Sequence, residues 1–375
     1  MTTRGSLIAI DARYVNGHMS GMARYTLNLL HGLESAHAAS PMVLLTSAPS
    51  ALPAEVRSSA AFRLLHVAGR PGPRDQWGLA RRLEAEGVGL FLSLDAWAPM
   101  TGAFRRVITI YDLIPLLCKP QLCRSWKARM GLLWKTWLRI QCRRADAVVT
   151  VSRCSARDIG GHLGVPAEKL HVICGSVRVG DDCADDPPSE TASGPYALCV
   201  GRCDPHKNLC RLVEAFARVR RTRQNLRLIV AGPRNPRYPE AEAAARSLGL
   251  DGAVRFTGQV SDAELRALYR GASLLVMPSL SEGFGLPPLE AMSFAVPVVA
   301  SNAASLPEVC GDAALLVDPL DVPALAAAME RVLSDEPLAE MLRRRGLRQA
   351  ARFTSAAQAA QTLALCKRLL KEPAA

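Results

Sequence analysis

The sequence predicts an α/β protein made of two similar parallel-sheet domains. Three observations carry this prediction. The chain has 375 residues, enough for two domains of ordinary size. Short apolar runs alternate with amphipathic segments, as buried parallel strands alternate with the helices that join them. The pattern stops at a polar stretch rich in Asp, Pro and Ser, Asp181 to Ser193, and then starts again, so this stretch reads as the domain linker.

In chain order, Leu7 to Ala12, Met42 to Thr46, Leu90 to Leu94, Val107 to Ile110 and Val148 to Val151 read as buried strands. Arg24 to Leu33 and Gly78 to Ala85 read as helices between them. After the linker, strands are expected at Ala197 to Val200, Leu226 to Ala231, Val254 to Thr257, Leu274 to Met277, Val298 to Ala300 and Ala314 to Val317. Helices are expected at Cys210 to Arg220, Pro239 to Leu248, Asp262 to Arg270, Leu289 to Phe294 and Val322 to Leu333. The expected boundaries are 1–185 for the first domain, 194–354 for the second and 355–375 for a closing helical segment.

Composition narrows the functional classes. Hydrophobic residues make up 49% and charged residues 21%, a globular balance rather than a disordered one. The net charge of +12 favours polyanionic partners. Aromatic–basic RNA-binding signatures are absent, so a nucleic-acid partner is not expected. Eleven cysteines are scattered without a Cys-x-x-Cys pair, which argues against a zinc framework and suggests reduced thiols in a cytoplasmic protein. The first residues carry too short an apolar run for a signal peptide, and no stretch approaches the ~20 apolar residues of a membrane span. A membrane role would therefore be peripheral, at the inner face.

The most informative string is Pro278-Ser-Leu-Ser-Glu-Gly-Phe-Gly-Leu-Pro-Pro-Leu-Glu-Ala-Met292. It places Glu282 before a Gly-Phe-Gly turn and Glu290 shortly after a Pro pair, where proline suits the first turn of a helix. A glycine-led helix N-terminus offers free backbone N–H groups and a positive dipole end. With two carboxylates beside it to accept from sugar hydroxyls, the segment reads as a nucleotide-sugar pocket. A strand–turn–helix with two solvated acids is the plainer alternative. After the first strand of the second half comes Gly201-Arg202-Cys-Asp-Pro-His-Lys207-Asn208, where a forked guanidinium and a point ammonium suit a pyrophosphate. The plainer alternative there is a charged turn with Asn208 as a helix cap.

The Glu282–Glu290 string resembles the Glu-x7-Glu signature of retaining glycosyltransferases of family 4, which have the GT-B fold. The resemblance extends to nearly the whole chain and is strongest from Val200 to Asp318. It implies two Rossmann-like domains and a last helix, Ser355 to Leu370, crossing back onto the first. It also implies a donor nucleotide sugar held by the second domain. By the same resemblance Glu290 meets the ribose hydroxyls. Glu282 and the backbone of Gly283, Phe284, Gly285 and Leu286 meet the sugar, and Arg202 and Lys207 hold the diphosphate. Gly258 and Val260 lie on the nucleobase loop, and Gly21 on a glycine-bearing loop of the first domain.

The family often has His-Asp at the end of a first-domain strand, where this chain has Tyr111-Asp112. A tyrosine, with an unperturbed pKa of about 10, is a poor base near neutral pH. The polar role therefore shifts to Asp112, with Tyr111 and Ser152 as acceptor-side contacts. A turn-capping role for Asp112 is the alternative. No cofactor or metal is expected: Asp181 to Asp186 lacks the Asp-x-Asp spacing of metal-dependent transferases, and the cations and helix dipole would replace a metal.

Similarity of the N-terminal Asp-Ala-Arg-Tyr and Ser-Gly-Met-Ala-Arg-Tyr strings to bacterial mannosyltransferases of surface-polysaccharide assembly makes GDP-mannose the preferred donor. A lipid-linked oligosaccharide, as in exopolysaccharide or O-antigen assembly, is then the expected acceptor. A UDP-sugar-dependent transferase, a nucleotide-sugar epimerase or hydrolase on the same fold, and a basic nucleic-acid-binding protein are the alternatives. The stretch 104–144 carries ten Lys or Arg against one acid, Asp112. Within it Met130, Leu133, Trp134, Trp137 and Leu138 form an apolar stripe at helical spacing beside Lys135, Arg139 and Arg143. This pattern fits an anionic membrane surface. Ordinary core packing of the stripe is the alternative.

Overall fold

Runs of Leu, Val, Ile and Ala that are buried on both faces build two wholly parallel sheets, the arrangement in which such strands lose their alternation. The computed structural model describes residues 5–17, 20–36, 41–69, 71–76, 78–117, 130–178 and 194–371. The chain divides into two compact units. One comprises Met1–Leu116, Met130–Ser176 and Phe353–Ala375, and the other is built on Val177–Arg352. The expected linker, Asp181 to Ser193, lies outside the described residues.

The first unit holds β1 (Leu7–Asp11), β2 (Met42–Thr46), β3 (Phe62–His66), β4 (Val88–Ser93), β5 (Arg105–Thr109), β6 (Ala147–Thr150) and β7 (Leu170–Val172), in sheet order β3-β2-β1-β4-β5-β6-β7. All of its described strand pairs are parallel. β4 is buried along its whole length, and its Phe91 packs with Ile108 and Val148 in the core. Two edge strands escape a reading based on apolar runs. β3 is interrupted by exposed Arg63 and His66, and β7 has three half-buried residues.

The helix Ser355–Lys371 packs on the helix Gly21–Ser35 of the same unit. Gly32 makes this approach possible, because a Cβ there would sit 2.1 Å from the Ser355 carbonyl oxygen. Asn28 Nδ2 donates to the Ser176 carbonyl at 2.5 Å, and Ser176 Oγ donates to Gln358 Oε1 at 2.6 Å. These bonds satisfy three buried polar side chains at once, which is required of polar groups removed from water.

The second unit holds β8 (Tyr196–Val200), β9 (Arg227–Ala231), β10 (Val254–Gly258), β11 (Leu274–Met277), β12 (Val298–Ser301) and β13 (Ala314–Val317), in order β10-β9-β8-β11-β12-β13. Its strands are also all parallel. Leu212, Val213 and Phe216 on the helix Leu209–Val219 pack with Leu228, Val230, Leu325 and Met329. Fully burying each side chain of this size stabilises by about 1.5–3 kcal/mol. The strand order reverses between β8 and β11. Connections leave a doubly wound sheet in opposite directions at such a point and open a crevice at the carboxyl ends of the strands.

Candidate active site

That reversal brings together two loops 75 residues apart in the chain. Lys207, beyond β8, donates from Nζ to Glu282 Oε1, beyond β11, at 2.7 Å. Their side chains are only 15% and 10% exposed, so this is a mostly desolvated ion pair rather than a surface one. Burial alone would push the Glu282 carboxyl up. The charges of Lys207 and His206 and the Lys207 hydrogen bond more than reverse that and hold it below the ordinary carboxylate range. His206 is pushed the other way. Burial first, then neighbouring Lys207, lowers its imidazole below the ordinary value, and Glu282 and Asp204 only partly offset this.

Local chemistry fixes each loop. Gly201 has φ 153° and lies under the Lys207 side chain, where a Cβ would come within 3.1 Å of Lys207 Cε. Asn208 adopts φ 60°, but its side chain does not cap the following helix. Its Nδ2 donates instead to the carbonyls of Pro278 and Pro319, at 3.0 and 2.6 Å, tying the loops that follow β8, β11 and β13. The helix-cap alternative for Asn208 is thereby corrected: in the left-handed region the side chain reaches across the sheet end rather than back to its own helix. Leu280 N–H donates to the His206 carbonyl at 2.7 Å. Buried Ser305 has its Oγ within hydrogen-bond distance of the carbonyls of Phe284 and Glu282, at 2.7 and 3.0 Å, and shares its one proton between them.

Gly285, at φ 105°, opens the helix Leu286–Ser293, and a Cβ there would strike Leu306 Cδ2 at 2.7 Å. Gly283, Phe284 and Gly285 are all buried. Glu290, on the same helix, accepts at Oε2 from the Tyr269 hydroxyl at 2.7 Å.

Arg202 is 61% exposed at its side chain and is held by Asp204, which accepts from Nε at 2.7 Å and lies 2.6 Å from Nη2. Asn235 Nδ2 donates to the second oxygen of Asp204 at 2.6 Å. On the neighbouring loops Gly232, at φ 142°, closes on Gly258 through an N–H···O bond of 3.0 Å and would bring a Cβ within 2.3 Å of the Gly201 carbonyl oxygen. Val260 follows, half-buried, just ahead of Ser261, which caps the helix Asp262–Gly271 in a reciprocal box with Glu264.

The first unit holds the remaining candidates. Gly21 opens the helix Gly21–Ser35 behind Ser20, whose side chain accepts from Ala23 N–H. Tyr111 donates its hydroxyl to the Leu94 carbonyl at 3.1 Å and meets Tyr25 edge-on at 5.3 Å. Burial, with Tyr25 and Asp95 nearby, pushes its phenol well above the ordinary value, so it stays a neutral donor. Asp112 Oδ1 accepts from Ile114 N–H at 2.9 Å, a turn-capping bond. Ser152 is fully buried and caps the helix Arg153–Leu163 through Ser155 N–H.

Sequence reasoning missed four residues of these surroundings. Asp204, Asn235, Tyr269 and Ser305 each fix a candidate side chain or turn; Asp204 holds Arg202 two residues away, whereas the bonds of Asn235, Tyr269 and Ser305 span 21 or more residues, too far for a spacing to reveal. Among the described residues no group of three or more His, Cys, Asp or Glu gathers as a metal cluster.

The amphipathic segment of the first unit divides differently from its sequence pattern. In the helix Gly131–Arg144, Leu138 is buried and Trp134 and Trp137 pack on the core, with Trp137 stacked 5.1 Å from Trp134 and tilted at 37° against Trp97 at 3.9 Å. The expected single stripe is thus corrected: Trp134, Trp137 and Leu138 face inward, whereas Leu133 is 63% and Met130 47% exposed. Leu132, at 77%, and Ile140, at 42%, join the outward face, which Arg139 and Arg143 share. The period of 3.6 residues puts positions 134, 137, 138 and 141 on one side and 132, 133, 136, 139, 140 and 143 on the other. Trp126 lies outside the described residues. No described helix is long and apolar enough to cross a membrane.

Two doubly wound parallel sheets, one with a cation–carboxylate pair at its reversal point, define the class of nucleotide-binding α/β proteins. The family model described as Glycosyltransferase Family 4 matches residues 19–179, and that described as Glycosyl transferases group 1 matches residues 185–349. The chain belongs to this glycosyltransferase family.

Among its relatives is the O-antigen chain mannosyltransferase B of Escherichia coli, 36% identical over 258 residues, which are 67% of each chain. The MMP alpha-(1->4)-mannosyltransferase of Mycolicibacterium hassiacum is 33% identical over 67% of this chain and 62% of its own length. A solved sucrose-phosphate synthase from Thermosynechococcus elongatus superposes with a TM-score of 0.74 at 23% identity, covering 96% of this chain and 98% of its own. The fold is GT-B in its components: two parallel-sheet α/β units of seven and six strands.

Proposed function

We propose that the protein is a retaining mannosyltransferase that moves mannose from GDP-mannose onto a lipid-linked oligosaccharide in surface-polysaccharide assembly. The observation that carries the reading is the buried Lys207–Glu282 pair at the reversal point of the second sheet. It places a fixed ammonium and a fixed carboxylate beside the N-terminus of the helix Leu286–Ser293. An ammonium and a helix dipole stabilise the negative charge on a departing diphosphate, and a carboxylate orients sugar hydroxyls. Mannose as the sugar rests on the names of the two mannosyltransferase relatives.

In this reading Lys207 and Arg202 bind the diphosphate. Glu282 and the N–H groups of Phe284 to Leu286 hold the sugar, and Glu290 binds the ribose. The turn at Gly258 and Val260 meets the base, and Gly21 borders the donor. Asp112, Tyr111 and Ser152 serve the acceptor side. The cations and the helix dipole perform the charge stabilisation, so the reaction proceeds without a metal.

The acceptor is reached at an anionic bilayer. Leu132, Leu133 and Ile140 enter the interfacial layer while Lys135, Arg139 and Arg143 meet lipid headgroups, as an amphipathic basic helix does. The enzyme then works as a peripheral protein of the cytoplasmic face. Incubation with GDP-mannose and a lipid-linked oligosaccharide tests the proposal: mass spectrometry should find the acceptor one hexose heavier, with the α configuration of the donor kept. Release of free sugar or an epimerised donor without acceptor extension would contradict it.

A further inference from the structure

We infer that Tyr269 is a positioning residue for the donor ribose, acting through Glu290. The inference rests on the ribose reading of Glu290 and extends it to a residue on another element. Tyr269 belongs to the helix Asp262–Gly271 and is 1% exposed. Its hydroxyl donates to Glu290 Oε2 at 2.7 Å, and its ring stacks on Phe294 with centroids 5.8 Å apart and planes 10° apart. Glu290 and Phe294 are one helical turn apart, so Tyr269 grips two consecutive turns of the same helix end, one through a hydrogen bond and one through a ring face. Arg270 lies over Phe294 at 5.5 Å and supports that ring from the neighbouring position.

The chemistry follows from the donor and acceptor inventory. An ionised carboxylate only accepts and has about four lone-pair positions, of which the phenol takes one. A ribose diol presents two hydroxyl donors and needs two of the others in a fixed plane. A glutamate side chain free to rotate about three bonds would lose that freedom on binding, and the phenol removes it beforehand, in the sense of a preorganised site. The phenol is neutral, so it leaves the carboxylate its charge and acts on its position alone.

Tyr269→Phe deletes the hydroxyl and keeps the ring against Phe294. The test is calorimetric titration of wild type, Tyr269→Phe and Glu290→Ala with GDP and UDP and with their 2′,3′-dideoxy counterparts, with thermal unfolding of each variant recorded alongside. For whichever nucleotide wild type binds, Tyr269→Phe should weaken the ribonucleotide about tenfold, the scale of a lost hydrogen bond to a charged group, and leave the dideoxynucleotide unchanged. Equal weakening of both, or of neither, would overturn the inference. If Glu290→Ala discriminates ribose from dideoxyribose while Tyr269→Phe does not, only the role of Tyr269 fails. If Glu290→Ala does not discriminate either, or neither nucleotide binds wild type, the ribose reading fails and the inference falls with it.

Discussion

Lys207 Nζ and Glu282 Oε1 lie 2.7 Å apart across the point where the second sheet reverses its strand order. Each needs the other. The carboxylate gives the ammonium a partner in a site largely closed to water, and the ammonium keeps the carboxylate ionised against burial. On the proposed reading, a donor diphosphate at this point would share the ammonium with Glu282.

Lys207→Ala should therefore lower turnover by ~10²-fold or more, the usual effect of deleting a group that stabilises developing charge. The substitution also leaves Glu282 buried without its cation, so the thermal midpoint should drop together with the rate. Steady-state kinetics and a melting curve on the same preparation check both effects, and near-normal turnover would remove Lys207 from the chemistry.

Acid should destabilise the second unit in two steps. The folded-state values of His206 and Glu282 both lie below their ordinary values, near 6.5 and 4.5, so the unfolded chain binds the proton first in each case. Stability is fully present above the ordinary value and is lost as pH falls toward the folded value, first for His206 and then for Glu282. His206 is faced by Lys207 and Arg202 as like charges and by Glu282 and Asp204 as opposite ones. His206→Gln should remove the upper step, read from melting midpoints between pH 7 and pH 4. An unchanged profile would contradict the assignment.

Gly232→Ala should destabilise the protein by about 1–3 kcal/mol and weaken nucleotide binding. Its φ of 142° disfavours any side chain, and the new Cβ would sit 2.3 Å from the Gly201 carbonyl, on the residue that underlies Lys207. Denaturant unfolding and a nucleotide titration report the two effects separately.

Membrane attachment should depend on Leu132 and Leu133 rather than on the tryptophans. The double substitution Leu132→Ser, Leu133→Ser should release the protein from anionic vesicles, as should neutralising Lys135, Arg139 and Arg143, while the melting temperature stays near wild type because both leucines are exposed. Co-sedimentation with vesicles measures this. Unaltered binding in both variants would assign the face to solvent.

Much of this was legible in the chain. Buried parallel strands such as Met42–Thr46, Leu274–Met277 and Val298–Ser301 read directly from their apolar runs, because strands covered on both faces carry no polar alternation. The edge strand Phe62–His66 did not, since an edge tolerates Arg63 and His66 facing out. The tryptophan stripe was legible as a stripe but not in its direction: periodicity locates a face and does not say which face meets the core. Glu282, Lys207 and Glu290 stood out as candidates through the strings that carry the family resemblance. Asp204, Asn235, Tyr269 and Ser305 did not, because their significance lies in hydrogen bonds closed by the fold.

Ligand-observed binding of GDP-mannose, UDP-glucose and UDP-N-acetylglucosamine, measured side by side on wild type and Glu290→Ala, decides whether the second unit is a GDP-mannose site. Wild type should bind GDP-mannose selectively, and the variant should lose that binding. Preference for a UDP sugar, or equal binding by the variant, would contradict this.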